Sequence, residues 1–275
     1  MKKRLSGALC FLKLLWAALV GTISMASAFG QTNREMPELG RFFDEFKIQG
    51  SFVLFDLSSN SYTFYNSNQF RQEFIPASTF KICNSLIGLE TGVIPDEHFV
   101  LKWDGVKRDF PHWDEDNDLQ SAFKYSVVWY YQELARRVGQ ERMQSWLSKA
   151  HYGNEKCGGG IDQFWLRGDL RATPAQQIDF LVRLYKNELP FSRRNMDIVK
   201  RIMVAEQTGQ YTLRAKTGWA FQNAVGWYVG YVETRGRVYF FATCVQGRED
   251  FNRQDFGRSR IEISRKILKE LKVLP

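Results

Sequence analysis

The 275-residue chain carries 38 Lys and Arg against 30 Asp and Glu, a formal net charge of +8, and 44% of it is hydrophobic. Four of the basic residues, Lys2, Lys3, Arg4 and Lys13, fall at the N-terminus, which leaves 34 basic against 30 acidic residues and a net of +4 for the rest. With those charges interleaved there is no basic stripe to neutralise phosphates, which argues against a nucleic-acid partner, while the apolar content suffices for a large core in one domain or two interwoven lobes.

The first residues read as a leader. Lys2-Lys3-Arg4, an apolar run centred on Leu14 to Val20, and Ala26-Ser27-Ala28 have the order of a secretory signal peptide over residues 1–28. A membrane anchor is the other reading, but Lys13 interrupts the run, and the stretch after it is short of the roughly 20 apolar residues a span needs. Cleavage after Ala28 is expected to release a protein without membrane contact into a bacterial periplasm, with residues 29–275 as a single domain. Phe29 to Glu38 are polar and expected to be loosely held. Cys10 leaves with the leader, so Cys83, Cys157 and Cys244 permit at most one disulfide; Cys83 reads as a small core residue, and spacing does not say whether Cys157 and Cys244 pair.

Next come Ser51 to Asp56 and Ser61 to Tyr65, two β-prone runs about Leu57-Ser58-Ser59-Asn60, a hairpin signal. From about Ile82 to Glu206 the pattern is helical, with apolar residues three and four apart in Tyr130–Val138, Met143–Lys149 and, after Thr173-Pro174, Ala175–Tyr185. Strands return at Tyr211–Ala215, Val225–Glu233 and Arg237–Val245, and a last helix is expected from about Arg258 to Leu271. Strands at both ends around a helical block predict an α+β fold. One central antiparallel sheet, built from distant segments and flanked by helices, carries an inserted all-helical region at about residues 82–206. A cleft belongs where the two parts meet.

The chemistry-bearing residues are few. Ser78-Thr79-Phe80-Lys81 places a hydroxyl and an amine on one helix face, an activated-nucleophile geometry. The pattern alone is weak, since Ser121-Ala122-Phe123-Lys124 repeats it, but Ser78 comes just after Pro76 at the start of an apolar helical stretch, where unpaired N–H groups can hold a developing oxyanion. Lys216-Thr217-Gly218, at the end of a strand-like run, offers a cation, a hydroxyl and a close backbone approach to a carboxylate-bearing extended ligand. Ser126, ahead of Val127-Val128 at a helix start, reads by itself as a cap and, beside the other two motifs, as a proton relay. There is no G-x-S-x-G elbow, and His98, His112 and His151 form no zinc pattern, so no metal is expected.

Ser78-Thr79-Phe80-Lys81, Ser126-Val127-Val128, Tyr152-Gly153-Asn154 and Lys216-Thr217-Gly218, with Gln163-Phe164-Trp165-Leu166 and an arginine in the last helix, resemble the class D β-lactamases in order and spacing from about residue 40 to the C-terminus. The resemblance implies a β-lactamase/transpeptidase-like fold and hydrolysis of β-lactam amides through an acyl-Ser78. It further implies that Lys81 is the general base, carboxylated to N6-carboxylysine by carbon dioxide or bicarbonate with no other cofactor. Class A β-lactamases use S-D-N and a loop glutamate instead; here Val127-Val128 occupy that place, and Glu133 reads as surface. Trp165 would hold the carbamate oxygen under an apolar cover of Val128 and Leu166. Lys216, Thr217 and Arg260 would take the substrate carboxylate, with Arg258 as the competing arginine, and the N–H groups of Ser78 and Trp219 the carbonyl oxygen, while Gly218 lets the strand approach. Tyr152-Gly153-Asn154 would shape a turn. Phe110, His112 and Trp113 and the loop between Gly218 and Val225 are candidates for specificity. β-Lactam antibiotics are then the small-molecule partners, with a monomer or homodimer as the state. The alternative is a β-lactam sensor or penicillin-binding domain that is acylated without turnover.

Overall fold

The computed structural model describes residues 33–108, 110–220, 224–247 and 253–275. The stretch expected to be a leader, residues 1–28, lies outside them, as do residues 221–223 of the loop between Gly218 and Val225. The strands are β1 (Asn33–Glu35), β2 (Gln49–Asp56), β3 (Ser61–Tyr65), β4 (Val204–Gln207), β5 (Tyr211–Ala220), β6 (Val225–Thr234) and β7 (Arg237–Gln246). They form one sheet in the order β1-β3-β2-β7-β6-β5-β4. The helices are α1 (Arg41–Asp44), α2 (Lys81–Glu90), α3 (Leu119–Lys124), α4 (Val128–Val138), α5 (Gln140–Ala150), α6 (Pro174–Lys186), α7 (Arg193–Ile202) and α8 (Arg253–Glu270). Among the described residues no helix is long and apolar enough to cross a membrane.

The two ends of the chain meet at β2 and β7, which pair antiparallel from Gln49 opposite Gln246 to Asp56 opposite Tyr239. Odd and even positions then serve two cores. Val53 and Phe55 of β2, Trp227, Val229 and Tyr231 of β6, and Phe240, Ala242 and Cys244 of β7 pack with α2, α4, α5 and α6. Their neighbours Phe52, Leu54, Tyr228, Val232, Phe241 and Val245 pack with Phe43 of α1 and with Phe256, Ile263 and Ile267 of α8. A central sheet covered on both faces explains why β2 reads as an almost unbroken apolar run.

Four expectations differ from the structure. The sheet is antiparallel except at one edge, where β1 runs parallel to β3 from Asn33 opposite Tyr62 to Glu35 opposite Phe64. The Met36 N–H continues that contact to the Phe64 carbonyl at 2.8 Å, so part of the segment expected to be loose is tied down by backbone pairing that its polar side chains do not announce. β4 lies in the stretch read as helical; it is a four-residue edge strand, exposed at Val204, Ala205 and Gln207, and carries no alternation. β5 extends five residues beyond Ala215, which places Lys216-Thr217-Gly218 inside a strand rather than at its end. The described cysteines, Cys83, Cys157 and Cys244, are free and buried; the Cys157 thiol lies 3.0 Å from Gln144 Oε1, and its sulfur 2.9 Å from Gln140 Nε2.

Candidate active site

Each residue of Ser78-Thr79-Phe80-Lys81 has its own destination. Ala77–Phe80 form a single 3₁₀ turn that runs into α2 at Lys81, and in that geometry positions three apart eclipse, which stacks Ser78 over Lys81. Thr79 donates its hydroxyl to the Pro76 carbonyl at 2.8 Å and accepts from Gln177 Nε2 at 2.9 Å. Phe80 is fully buried against Tyr152, Phe164 and Trp165, with ring centres 5.0–5.5 Å apart. Upstream, Trp227 Nε1 donates to the Ile75 carbonyl at 2.9 Å, which fixes the entry to the turn from the sheet. Gly218 closes the other side: a Cβ there would come within 2.8 Å of the Pro76 carbonyl oxygen and 3.1 Å of Thr79 Cγ2, so only glycine lets β5 lie this close. Gln177 and Trp227 give no local signal of this role, because a buried glutamine in α6 and an aromatic in β6 look alike wherever they point.

Ser126 is not a helix cap. It comes after α3 in a left-handed conformation, φ 57°, and the Val127 N–H reaches back to the Ala122 carbonyl at 2.9 Å, an arrangement in which glycine is usual at the left-handed position. α4 starts two residues later, at Val128. Ala77, beside the nucleophile, is also left-handed at φ 48°. Such conformations cost about 1–2 kcal/mol in non-glycine residues, and here they turn two serines toward one amine. Lys81 Nζ lies 3.0 Å from Ser78 Oγ, 2.9 Å from Ser126 Oγ and 2.7 Å from the Ser126 carbonyl oxygen. Lys216 Nζ donates to Ser126 Oγ at 3.0 Å and to Thr217 Oγ1 at 3.3 Å. The result is a chain Ser78–Lys81–Ser126–Lys216 assembled from three distant segments.

Charge is expensive in that chain. Burial, helped by the neighbouring Lys216, holds Lys81 well below the usual lysine range. Burial and then the Arg260 charge push Lys216 down to about 7. Arg260 is itself 8% exposed, with burial lowering it to about 10, and its Nε and Nη1 have no hydrogen-bond partner among the described residues. Arg258 is exposed instead and paired with Glu262 at 2.7 Å. Glu133 is held by Arg136 and Arg137 and lies below the usual carboxylate range, with the Arg137 hydrogen bond as the first cause. The look-alike serine Ser121 closes a capping box with Asp118, and Lys124 is exposed over the Tyr125 ring.

A cleft of about 470 Å³ opens over this chain, lined by Ser78, Ser126, Val128, Leu166, Thr217, Trp219 and Arg260, with Phe110, Trp113, Gln132, Gln163, Arg167 and Ala220 completing its wall. Trp165 lies beneath, fully buried, and its Nε1 has no partner among the described residues. Phe110 and Trp113 pack at a tilt of 31° with ring centres 4.5 Å apart, and Trp113 Nε1 donates to the Tyr125 carbonyl at 3.0 Å, next to Ser126. His112 stacks on Tyr125 at 3.7 Å and meets Glu115, so it contributes to the loop rather than to the cleft wall. In Tyr152-Gly153-Asn154, Gly153 is at φ 57° with the Arg171 carbonyl where a Cβ would sit, and Asn154 Oδ1 accepts the Arg171 N–H at 3.0 Å. That is a turn, with no contact to the cleft.

The profile of the penicillin binding protein transpeptidase domain matches residues 50–269. A solved class D β-lactamase from Nostoc superposes with a TM-score of 0.82 at 47% identity, over 86% of this chain and 99% of that one. The β-lactamase OXA-48 of Klebsiella pneumoniae is 42% identical over 94% of this chain and 96% of its own length. The regulatory protein BlaR1 of Bacillus licheniformis is 36% identical over 98% of this chain but only 46% of its own length. The chain belongs to the class D β-lactamases of the transpeptidase superfamily.

Proposed function

We propose that the protein hydrolyses the amide bond of β-lactam antibiotics through an ester on Ser78. The observation that carries the reading is the buried amine of Lys81 in reach of two hydroxyls, one of which Lys216 also holds. A lysine that is neutral at working pH keeps a lone pair for the Ser78 proton, which an ordinary ammonium lacks. Ser78 Oγ then attacks the lactam carbonyl carbon, and the N–H groups of Ser78 and Trp219 take the developing oxyanion. As the carbon–nitrogen bond breaks, Ser126 passes its proton to the leaving nitrogen and takes up the one Lys81 received from Ser78, while Lys216 holds the Ser126 hydroxyl in place. Water then attacks the ester with its proton going to the once more neutral Lys81, which returns it to Ser78 Oγ as the ester bond breaks. Thr217 and Arg260 hold the ring carboxylate, the free guanidinium nitrogens of Arg260 being donors in want of an acceptor.

Lys81 also fits carboxylation. An amine that burial holds well below the usual lysine range, the orphaned Nε1–H donor of Trp165, and the half-buried Val128 and Leu166 over the site form a setting for a carbamate. Carbon dioxide added there would supply an anionic oxygen base. The leader at residues 1–28 supports export to the periplasm. The direct test is steady-state hydrolysis of benzylpenicillin: many turnovers per enzyme molecule are expected, with a loss of at least about a thousandfold in Ser78→Ala; equal rates in the two proteins would refute the assignment.

A further inference from the structure

The cleft that contains Ser78 and Arg260 is also lined by Arg167, one residue beyond Phe164-Trp165-Leu166. Its backbone is held firmly. The Gln163 carbonyl accepts the N–H groups of Leu166, Arg167 and Gly168 at 2.8, 3.0 and 3.2 Å, and a Cβ on Gly168 would meet the Gly158 carbonyl oxygen and Phe164 Cα at 2.5 Å each. Neighbouring arginines are already committed: Arg171 to the carbonyls of Gly168 and Leu170, Arg136 to Glu133 and Asp162, Arg137 to Glu133. The Arg167 guanidinium is exposed and makes no hydrogen bond or ion pair among the described residues. Among those residues no aspartate or glutamate lines the cleft.

An arginine on a turn held by backbone hydrogen bonds, in a cleft whose described lining holds no acid, takes its anion from the ligand. Arg260 and Thr217 are engaged by the ring carboxylate in the proposed hydrolysis, on which this step rests, and Arg167 is left for a second negative group. We propose that Arg167 is a specificity residue for β-lactams bearing a carboxylate on the acyl side chain, and that it favours such a dianionic substrate over the same molecule without that carboxylate. The contact is exposed, so its effect is modest and screened by salt.

Benzylpenicillin and α-carboxybenzylpenicillin differ by this one carboxylate. The quantity to measure is the ratio of their kcat/KM values, dianion over monoanion, at low and high salt, for the wild type, Arg167→Gln and Arg167→Lys. The expected result is a fall in that ratio of about fivefold in Arg167→Gln, partial recovery in Arg167→Lys, and a salt dependence present in the wild type and absent in Arg167→Gln. An unchanged ratio in Arg167→Gln, with benzylpenicillin still turned over, overturns the role of Arg167 alone. Failure of the wild type to turn over either penicillin overturns the hydrolase reading and this proposal with it.

Discussion

Lys81 and Lys216 sit on either side of the Ser126 hydroxyl, and what distinguishes them from surface lysines is that folding removes them from water. That burial sets the sign of a pH dependence. An unfolded lysine holds its proton up to about 10.4, whereas folded Lys216 gives it up above about 7; between those values the unfolded state binds more protons, so stability rises with pH. Lys81 acts in the same direction. Urea denaturation is therefore expected to give a higher unfolding free energy at pH 9 than at pH 7, and Lys216→Met to reduce that difference by about 1 kcal/mol or more. An equal or larger difference in the variant would contradict the assignment. Trp165 carries the second residue-scale prediction. Trp165→Phe keeps an aromatic ring beside Phe80 but removes the orphaned donor. With labelled bicarbonate, the carbamate carbon signal expected by NMR in the wild type should weaken severalfold at equal concentration, and activity should come to depend on added bicarbonate. A signal of equal strength in both proteins would remove Trp165 from that role.

Two elements approach each other more closely than side chains normally allow, the 3₁₀ turn of Ser78 and the middle of β5. In Gly218→Ala the new Cβ must displace the strand from Pro76 and Thr79, at a cost of about 1–3 kcal/mol in stability. Because the same shift moves Lys216 from Ser126, kcat/KM for benzylpenicillin is expected to fall by at least about tenfold. A fully active Gly218→Ala enzyme would show that the contact does not set the site. The convergence of Ser78, Lys81 and Lys216 was legible in the sequence because residue type and spacing suggest it, and the hairpin β2–β3 and helices α4 to α6 were legible because their apolar periods carry them. β4 was not, being a short exposed edge, nor was the parallel pairing of β1, which backbone groups alone provide. Ser126 was legible as a partner of the two lysines but not as the left-handed end of α3, since serine there stands where glycine would have marked the turn.

At the scale of the whole molecule, the site exists because the chain's ends pair across β2 and β7 while the helical segments between them bring Ser126 and Trp165 to the sheet's face. Supports such as Gln177, Trp227 and Arg260 come from α6, β6 and α8, and no local pattern reveals that they converge. The family includes β-lactamases such as OXA-48, and the regulatory protein BlaR1 carries a related sequence within less than half of its length. A hydrolase and a protein that is acylated without turnover would differ in the fate of the ester on the serine. The decisive measurement is an intact-mass time course of the purified protein with excess benzylpenicillin in bicarbonate buffer, run beside an assay of ring opening. A transient adduct one penicillin in mass, absent in Ser78→Ala, is expected to disappear as substrate is exhausted after many turnovers. An adduct that persists with ring opening limited to one equivalent, or no adduct together with no hydrolysis, would contradict hydrolysis through an ester on Ser78.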